Sequence, residues 1–99
     1  MVKHDMDMTW TVKFTNKAAK QYKKLPKVIC DSIDALIMEI RICGPVRGNW
    51  PNYSKLSDTE HHCHVKKGRP TYVVVWREDK GQIKFVEVIY AGTHEKAPY

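Results

Sequence analysis

The sequence predicts an α+β domain with elements in the order β-α-α-β-β-β-β, its two N-terminal helices packed on one face of a mostly antiparallel sheet. Three observations carry that reading. Ile29, Ile33, Leu36, Ile40 and Cys43 recur at i, i+4, i+7, i+11 and i+14, the spacing of a buried helix face. The second half abandons that rhythm for short β-branched and aromatic runs divided by glycine-bearing links. With 99 residues the chain is long enough for one core and too short for two, so both halves must share it. Residues 9–99 are expected to form a single domain, with 1–8 as a loose tail.

The first strand is expected at 9–15, where Trp10, Val12 and Phe14 alternate with polar neighbours. A short helix follows over 16–24, with Thr15 or Asn16 as its N-cap. It gathers Ala18, Tyr22 and Leu25 on one side and shows a lysine stripe, Lys17, Lys20 and Lys24, on another. Pro26 suits the first turn of the second helix, and Gly44-Pro45 ends that helix. After a loop over 44–52, strands are expected at 53–56, 60–66, 71–77 and 82–90. The links at 67–70 and 78–81 are short enough for hairpins. Residues 83–90 are apolar at nearly every position, which predicts a central strand covered on both faces.

Composition narrows the partners. Seventeen Lys and Arg stand against eleven Asp and Glu, a net charge of +6 that favours an anionic partner such as nucleic acid. No apolar run approaches the ~20 residues that span a bilayer, and the N-terminus lacks a signal-peptide core. Cys30, Cys43 and Cys63 are odd in number and lack paired spacing, so they read as reduced thiols of a cytoplasmic protein.

Four of the five histidines lie from His61 onward, three of them in His61-His62-Cys63-His64. Period-two alternation places Cys63 and Val65 on one face and His62, His64 and Lys66 on the other. If Cys63 and Val65 face the helices, the histidine pair lies on the open face. His61 then falls on the covered side or at an exposed strand start. His94 comes just past the last strand, within reach of the pair in a meander. Four ligands in one strand cannot converge on one zinc ion, because alternate side chains face apart and no second Cys or His pair has finger spacing. No metal and no cofactor is therefore expected.

Histidine suits proton transfer near neutral pH, and lysine and arginine suit phosphate. RNA scission needs a base for the 2′-hydroxyl, an acid for the leaving 5′-oxygen and positive charge for the crowded phosphorus. His62, His64 and His94 are the candidates for the proton roles. Lys66, Lys67, Arg69 and Arg77 are candidates for the charge, and Tyr72, Tyr90 and Trp76 offer flat faces for an unstacked base.

The element order, the lysine-rich first helix, Lys24-Leu25-Pro26, the segment from Gly44 to Trp50, His64-Val65 and the closing Gly92-Thr93-His94 together resemble the RelE/ParE toxin superfamily. The resemblance runs from Trp10 to His94 and is strongest to the RelE and YafQ branches. It implies a RelE-like microbial RNase fold and a ribosome-dependent endoribonuclease that cuts mRNA and halts translation. It also implies an acidic antitoxin as partner, the ribosome and mRNA as targets, and contact with operator DNA only through the antitoxin complex. Carried over by position, His94 matches the general acid, His64 the histidine of the site strand, and Tyr72 an aromatic after the turn. Two departures stand out: Gly44 occupies the place of a loop histidine, and 66–70 hold no aspartate. A ParE-like inhibitor of DNA gyrase, which would leave His62, His64 and His94 without a task, and a non-catalytic basic RNA-binding module are the alternatives.

Overall fold

A computed structural model describes residues 9–66 and 68–99; the expected tail and Lys67 lie outside the described residues. The elements are β1 (Thr11–Phe14), α1 (Asn16–Lys23), α2 (Lys27–Cys43), β2 (Ser54–Lys55), β3 (Glu60–Lys66), β4 (Tyr72–Glu78), β5 (Phe85–Thr93) and a 3-10 turn (His94–Lys96). They form one five-stranded sheet in the order β1-β5-β4-β3-β2, in which only β1 and β5 pair in parallel. The predicted α+β architecture is the observed one.

Thr15 caps α1, its Oγ1 accepting the Ala18 N–H at 3.0 Å. Pro26 stands one residue earlier than expected, as the N-cap of α2 rather than within its first turn. Its missing N–H costs nothing there, because that group has no partner inside the helix. Gly44 closes α2 by donating its N–H to the Ile40 carbonyl at 2.8 Å, with φ at +98°. A Cβ at Gly44 would stand 3.1 Å from Trp10 Nε1. Both facts keep a histidine out of this position.

The predicted α2 stripe is the core except at its last member: Cys43, in the final position of the helix, is exposed rather than buried. Ile29, Ile33, Leu36 and Ile40 are buried, with Ile37 beside them, against Val12, Cys63, Val74, Trp76, Val86, Val88 and Ala91 of the sheet. Each such aliphatic contributes about 1.5–3 kcal/mol on burial. Trp76 is sealed inside and donates its indole N–H to the Pro45 carbonyl at 3.0 Å, so it is no platform for a base.

The central strand, and the one most fully covered on both faces, is β4; the last strand lies beside it and is buried on its open side only at Tyr90. Val73 and Val75 are buried on the open side against Tyr90, while Val74 and Trp76 are buried on the helix side. β5 starts at Phe85 because the turn after β4 runs longer than expected, and Ile83 within it is 92% exposed. β5 also carries an extra residue. Val75 pairs with Tyr90 and Trp76 with Val88, so Ile89 is a bulge, and it joins Tyr90 on the open side. With Ile89 and Tyr90 both on the open side, β5 is covered there at Tyr90, while Val86, Val88 and Ala91 are buried on the helix side.

Candidate functional site

The open face presents the histidines. His62 and His64 pair with Val75 and Val73 of β4, which face away from the helices. Their ring centroids lie 6.0 Å apart. β5 runs antiparallel to β4, so its end lies beside the start of β4, where Thr93 pairs with Tyr72. The His94 N–H then bonds to the Thr71 carbonyl at 2.9 Å, which fastens the 3-10 turn to the sheet. The His94 ring meets the His64 ring edge-on at 5.5 Å. The three candidate histidines are therefore one cluster.

Tyr99 completes it. Its ring lies 4.6 Å from His62 and 5.9 Å from His94, so the end of the chain folds back over the imidazoles. Sequence reasoning missed Tyr99, since nothing local says where a residue after Lys96 will go. The signal was indirect: an aromatic five residues past His94, beyond a proline.

Environment separates the rings. His62 is 8% exposed, and burial lowers its pKa below the usual histidine value, with the neighbouring His94 pushing the same way. Its Nδ1 lies 3.3 Å from the Ser54 carbonyl and 3.2 Å from Ser54 Oγ. A carbonyl only accepts, so Nδ1 carries the proton and Nε2 the lone pair of the neutral ring. His64 is half-buried and His94 exposed.

His61 lies on the other face. It is fully buried, stacked on Trp76 with centroids 5.8 Å apart and planes 4° apart. Nε2 donates to Glu78 Oε2 at 2.8 Å, and Tyr53 O–H donates to Nδ1 at 2.7 Å. Burial lowers the His61 pKa despite the carboxylate, so this ring is neutral and both nitrogens are engaged. Burial pushes the Glu78 carboxyl up, but hydrogen bonds from His61 and Lys80 outweigh it and leave it lowered. Cys63, between His62 and His64, faces the core, and burial pushes its thiol up to about 12. Such a thiol is no nucleophile near pH 7.

The basic and aromatic candidates divide. Arg69 lines an open cleft of about 440 Å³ together with Gly68, Pro70, Thr71, Thr93, His94 and Glu95. The period-two argument for Lys66 stops at Val65. His64 pairs with Val73 and Lys66 with Tyr72, so Val65 is a bulge and Lys66 stands opposite a residue packed on the helix side. Arg77 is five residues along β4 from Tyr72, roughly 16 Å away at strand rise. It is held by Glu87 at 2.6 Å and stands two residues along the strand from Val75, the partner of His62, so it lies beside the far end of the histidine row and not in the cleft with His94 and Arg69. Tyr90 is buried and donates its hydroxyl to the Thr93 carbonyl at 2.7 Å, which makes it a support for the His94 turn rather than a stacking face. A Cβ on Gly92 would come within 2.8 Å of that hydroxyl. Hence Gly92 lets Tyr90 lie over the backbone just before His94.

The loop after α2 is fixed from the helix side. Glu39 Oε1 accepts from Arg47, Asn49 and Trp50 at 3.0–3.1 Å. Hydrogen bonds from Asn49, then from Trp50 and Arg47, hold that carboxyl below its usual range against burial. The Pro51 carbonyl in turn accepts the His64 N–H at 2.8 Å. Among the described residues, no group of three or more His, Cys, Asp or Glu is arranged to hold a metal ion, and no helix is long and apolar enough to cross a membrane. The described cysteines are free thiols.

Compared with solved structures, the chain has the RelE-type toxin fold. A free-state mutant of the Escherichia coli toxin RelE superposes with a TM-score of 0.70 at 17% identity, over 91% of this chain and 88% of that one. The archaeal RelE–RelB complex from Pyrococcus horikoshii gives 0.59 at 13% identity, over 91% and 100%. The toxin-antitoxin complex RelBE2 of Mycobacterium tuberculosis gives 0.52 at 22%, over 86% and 98%. No family model and no curated protein sequence matches the chain. The likeness is therefore one of fold, and it covers nearly the whole domain.

Proposed function

We propose that the chain is the toxin of a type II toxin-antitoxin pair, a cytoplasmic ribosome-dependent endoribonuclease that cuts mRNA and stops translation. The observation that carries this reading is the convergence of His62, His64 and His94 beside the Arg69 cleft, on a fold shared with RelE toxins. Two imidazoles 5.5 Å apart in ring centre can flank a single phosphodiester.

The proton transfers and the charge compensation fall to side chains of this chain. His64, half-buried, takes the proton of the 2′-hydroxyl as that oxygen attacks phosphorus. The bond to the 5′-oxygen breaks, and His94 gives its proton to the leaving oxygen, producing a 2′,3′-cyclic phosphate and a 5′-hydroxyl. His62 stays neutral behind them, kept so by burial and by the charge on His94, and it packs against Tyr99. Arg69 offsets the charge that builds on the phosphoryl oxygens. The +6 charge suits both an acidic antitoxin and the ribosome, with operator DNA reached only through the antitoxin complex.

The test is incubation of the purified protein with programmed ribosomes and end-labelled mRNA, beside naked mRNA and the His94→Ala variant. Cleavage on ribosomes alone, lost with His94, is expected. A protein that arrests growth without cutting RNA on or off the ribosome would instead point to gyrase. Inertness in both assays would leave a binding module.

A further inference from the structure

A second concavity lies at the same end of the sheet. β1 runs beside β5 only from Phe85 to Val88, so among the described residues no strand flanks the outer side of the last stretch of β5. Helix α1 lies there instead, with a groove of about 510 Å³ between them. Lys17, Lys24, Lys96, Gln21 and the half-buried Tyr72 line it, and the three lysines are exposed. Lys17 and Lys24 are seven residues apart on one helix face, about 10 Å along its axis. Gln21 sits between them and accepts the Ala91 N–H at 3.1 Å, which holds its amide across the groove. Among the described residues, no carboxylate lines this space.

We propose that this groove is a second binding site for single-stranded RNA, taking nucleotides next to the bond held at the histidines. Phosphates lie on Lys17, Lys24 and Lys96, and a base lies against Tyr72. The proposal rests on the reading that the histidine site takes RNA. Two features favour RNA over an acidic peptide, which would use the lysines alone. Tyr72 provides a ring on which any base can stack. Thr93 lines both this groove and the cleft holding Arg69 and His94, so a strand crossing the end of β5 passes from one to the other.

The test uses the full chain carrying His94→Ala, so that nothing is cut, with fluorescent oligouridylates of three and eight residues titrated across a salt series. The eight-mer should bind about tenfold or more tightly than the three-mer, by engaging further phosphates and a base. Lys17→Gln with Lys24→Gln should bring it near the three-mer and reduce the salt slope by about 1.4, at ~0.7 per phosphate contact on a single strand. Tyr72→Leu should weaken the eight-mer at least about fivefold with no change of slope. Lys96→Gln, at an exposed position, should lower the slope by about 0.7 and serves if Tyr72→Leu does not fold. Equal affinity for the two lengths, or an unchanged slope in the double lysine variant, overturns the proposal. So does an octaglutamate that binds as tightly as the eight-mer, equally with and without Tyr72, which would make the groove a seat for an acidic protein. Because binding is read without cleavage, a chain that never cuts RNA still passes or fails this test on its own terms.

Discussion

His61 and His62 are neighbours in one strand, and they live in different chemistry. His61 faces the helices, fully buried, with Tyr53 and Glu78 on its two nitrogens and Trp76 beneath it. His62 faces the open side with His64, His94 and Tyr99, one nitrogen tied to Ser54. The residue type is the same and one step of the pleat separates them. The face, not the presence of a histidine, decides whether a ring is committed to the fold or can serve a reaction. The largest expected effect tests that division. His94→Ala on the open face should cut ribosome-dependent cleavage about 10²- to 10⁴-fold while leaving the melting temperature within a degree or two. An enzyme that cuts at the wild-type rate without His94 would remove this residue from the proton transfer.

The covered histidine should show the reverse pattern. His61→Ala leaves a cavity beside Trp76 and strips a partner from both Tyr53 and Glu78, so urea denaturation should report a loss of about 3 kcal/mol or more. Any activity lost should track the folded fraction. Acidity sharpens the same contrast. His61 and His62 both have lowered pKa values in the fold, while an unfolded histidine titrates near 6.5. Below that pH the unfolded chain binds more protons, so stability rises with pH across this range. The contribution is complete above about pH 6.5 and declines as pH falls from there through the lowered folded values. His61→Gln keeps a neutral polar side chain but cannot titrate, and its stability should fall less between pH 7 and 5.5. Identical profiles for the two proteins would show that His61 is not buried in its neutral form.

Gly92→Ala comes next in size. The added Cβ meets the Tyr90 hydroxyl, whose ring is buried and whose bond to the Thr93 carbonyl supports the His94 turn. A loss of about 1–3 kcal/mol is expected from overpacking, with a drop in cleavage rate beyond what that instability explains. Gly92→Ala combined with Tyr90→Phe removes the clashing oxygen and should recover stability, but it also removes the bond to Thr93 and should recover less activity. Full recovery of both would show that Tyr90 does nothing for His94.

Periodicity made most of this architecture readable, and the misreadings have more than one cause. The α2 stripe and the facing of Cys63 against His62 and His64 follow from regular repeats, which a sequence displays directly. The bulges at Ile89 and Val65 break the period-two repeat without leaving a glycine or proline to announce them. The bulge at Val65 is why Lys66 does not share the histidine face by alternation, whereas the apolar run over 83–90 is what shifts the expected central strand one position along the sheet. Tyr99 escaped for a different reason: its contact with His62 depends on how the chain turns after Lys96, a tertiary matter. Tyr90 and Trp76 were legible as large rings, but their buried hydrogen-bond partners at Thr93 and Pro45 were not.

The smallest expected effect concerns Arg77, a residue that composition placed with the site and geometry does not. It shares the open face with the histidines, but it stands at the end of β4 opposite the cleft of His94 and Arg69 and is paired with Glu87. Both side chains are substantially exposed, 42% and 32%, so water and salt screen the pair. Its removal should cost only about 0.2–1 kcal/mol. Arg77→Ala should therefore leave the cleavage rate within about twofold of wild type, since a charge roughly 16 Å from the cleft lies beyond the ~8 Å screening length at physiological salt. Arg69→Ala, in the cleft with His94, should slow the same reaction far more. If the two substitutions weaken cleavage equally, RNA must run the length of β4 and the reacting end of the sheet is drawn too small. A large effect at Arg69 alone would confine the chemistry to the end where β5 delivers His94.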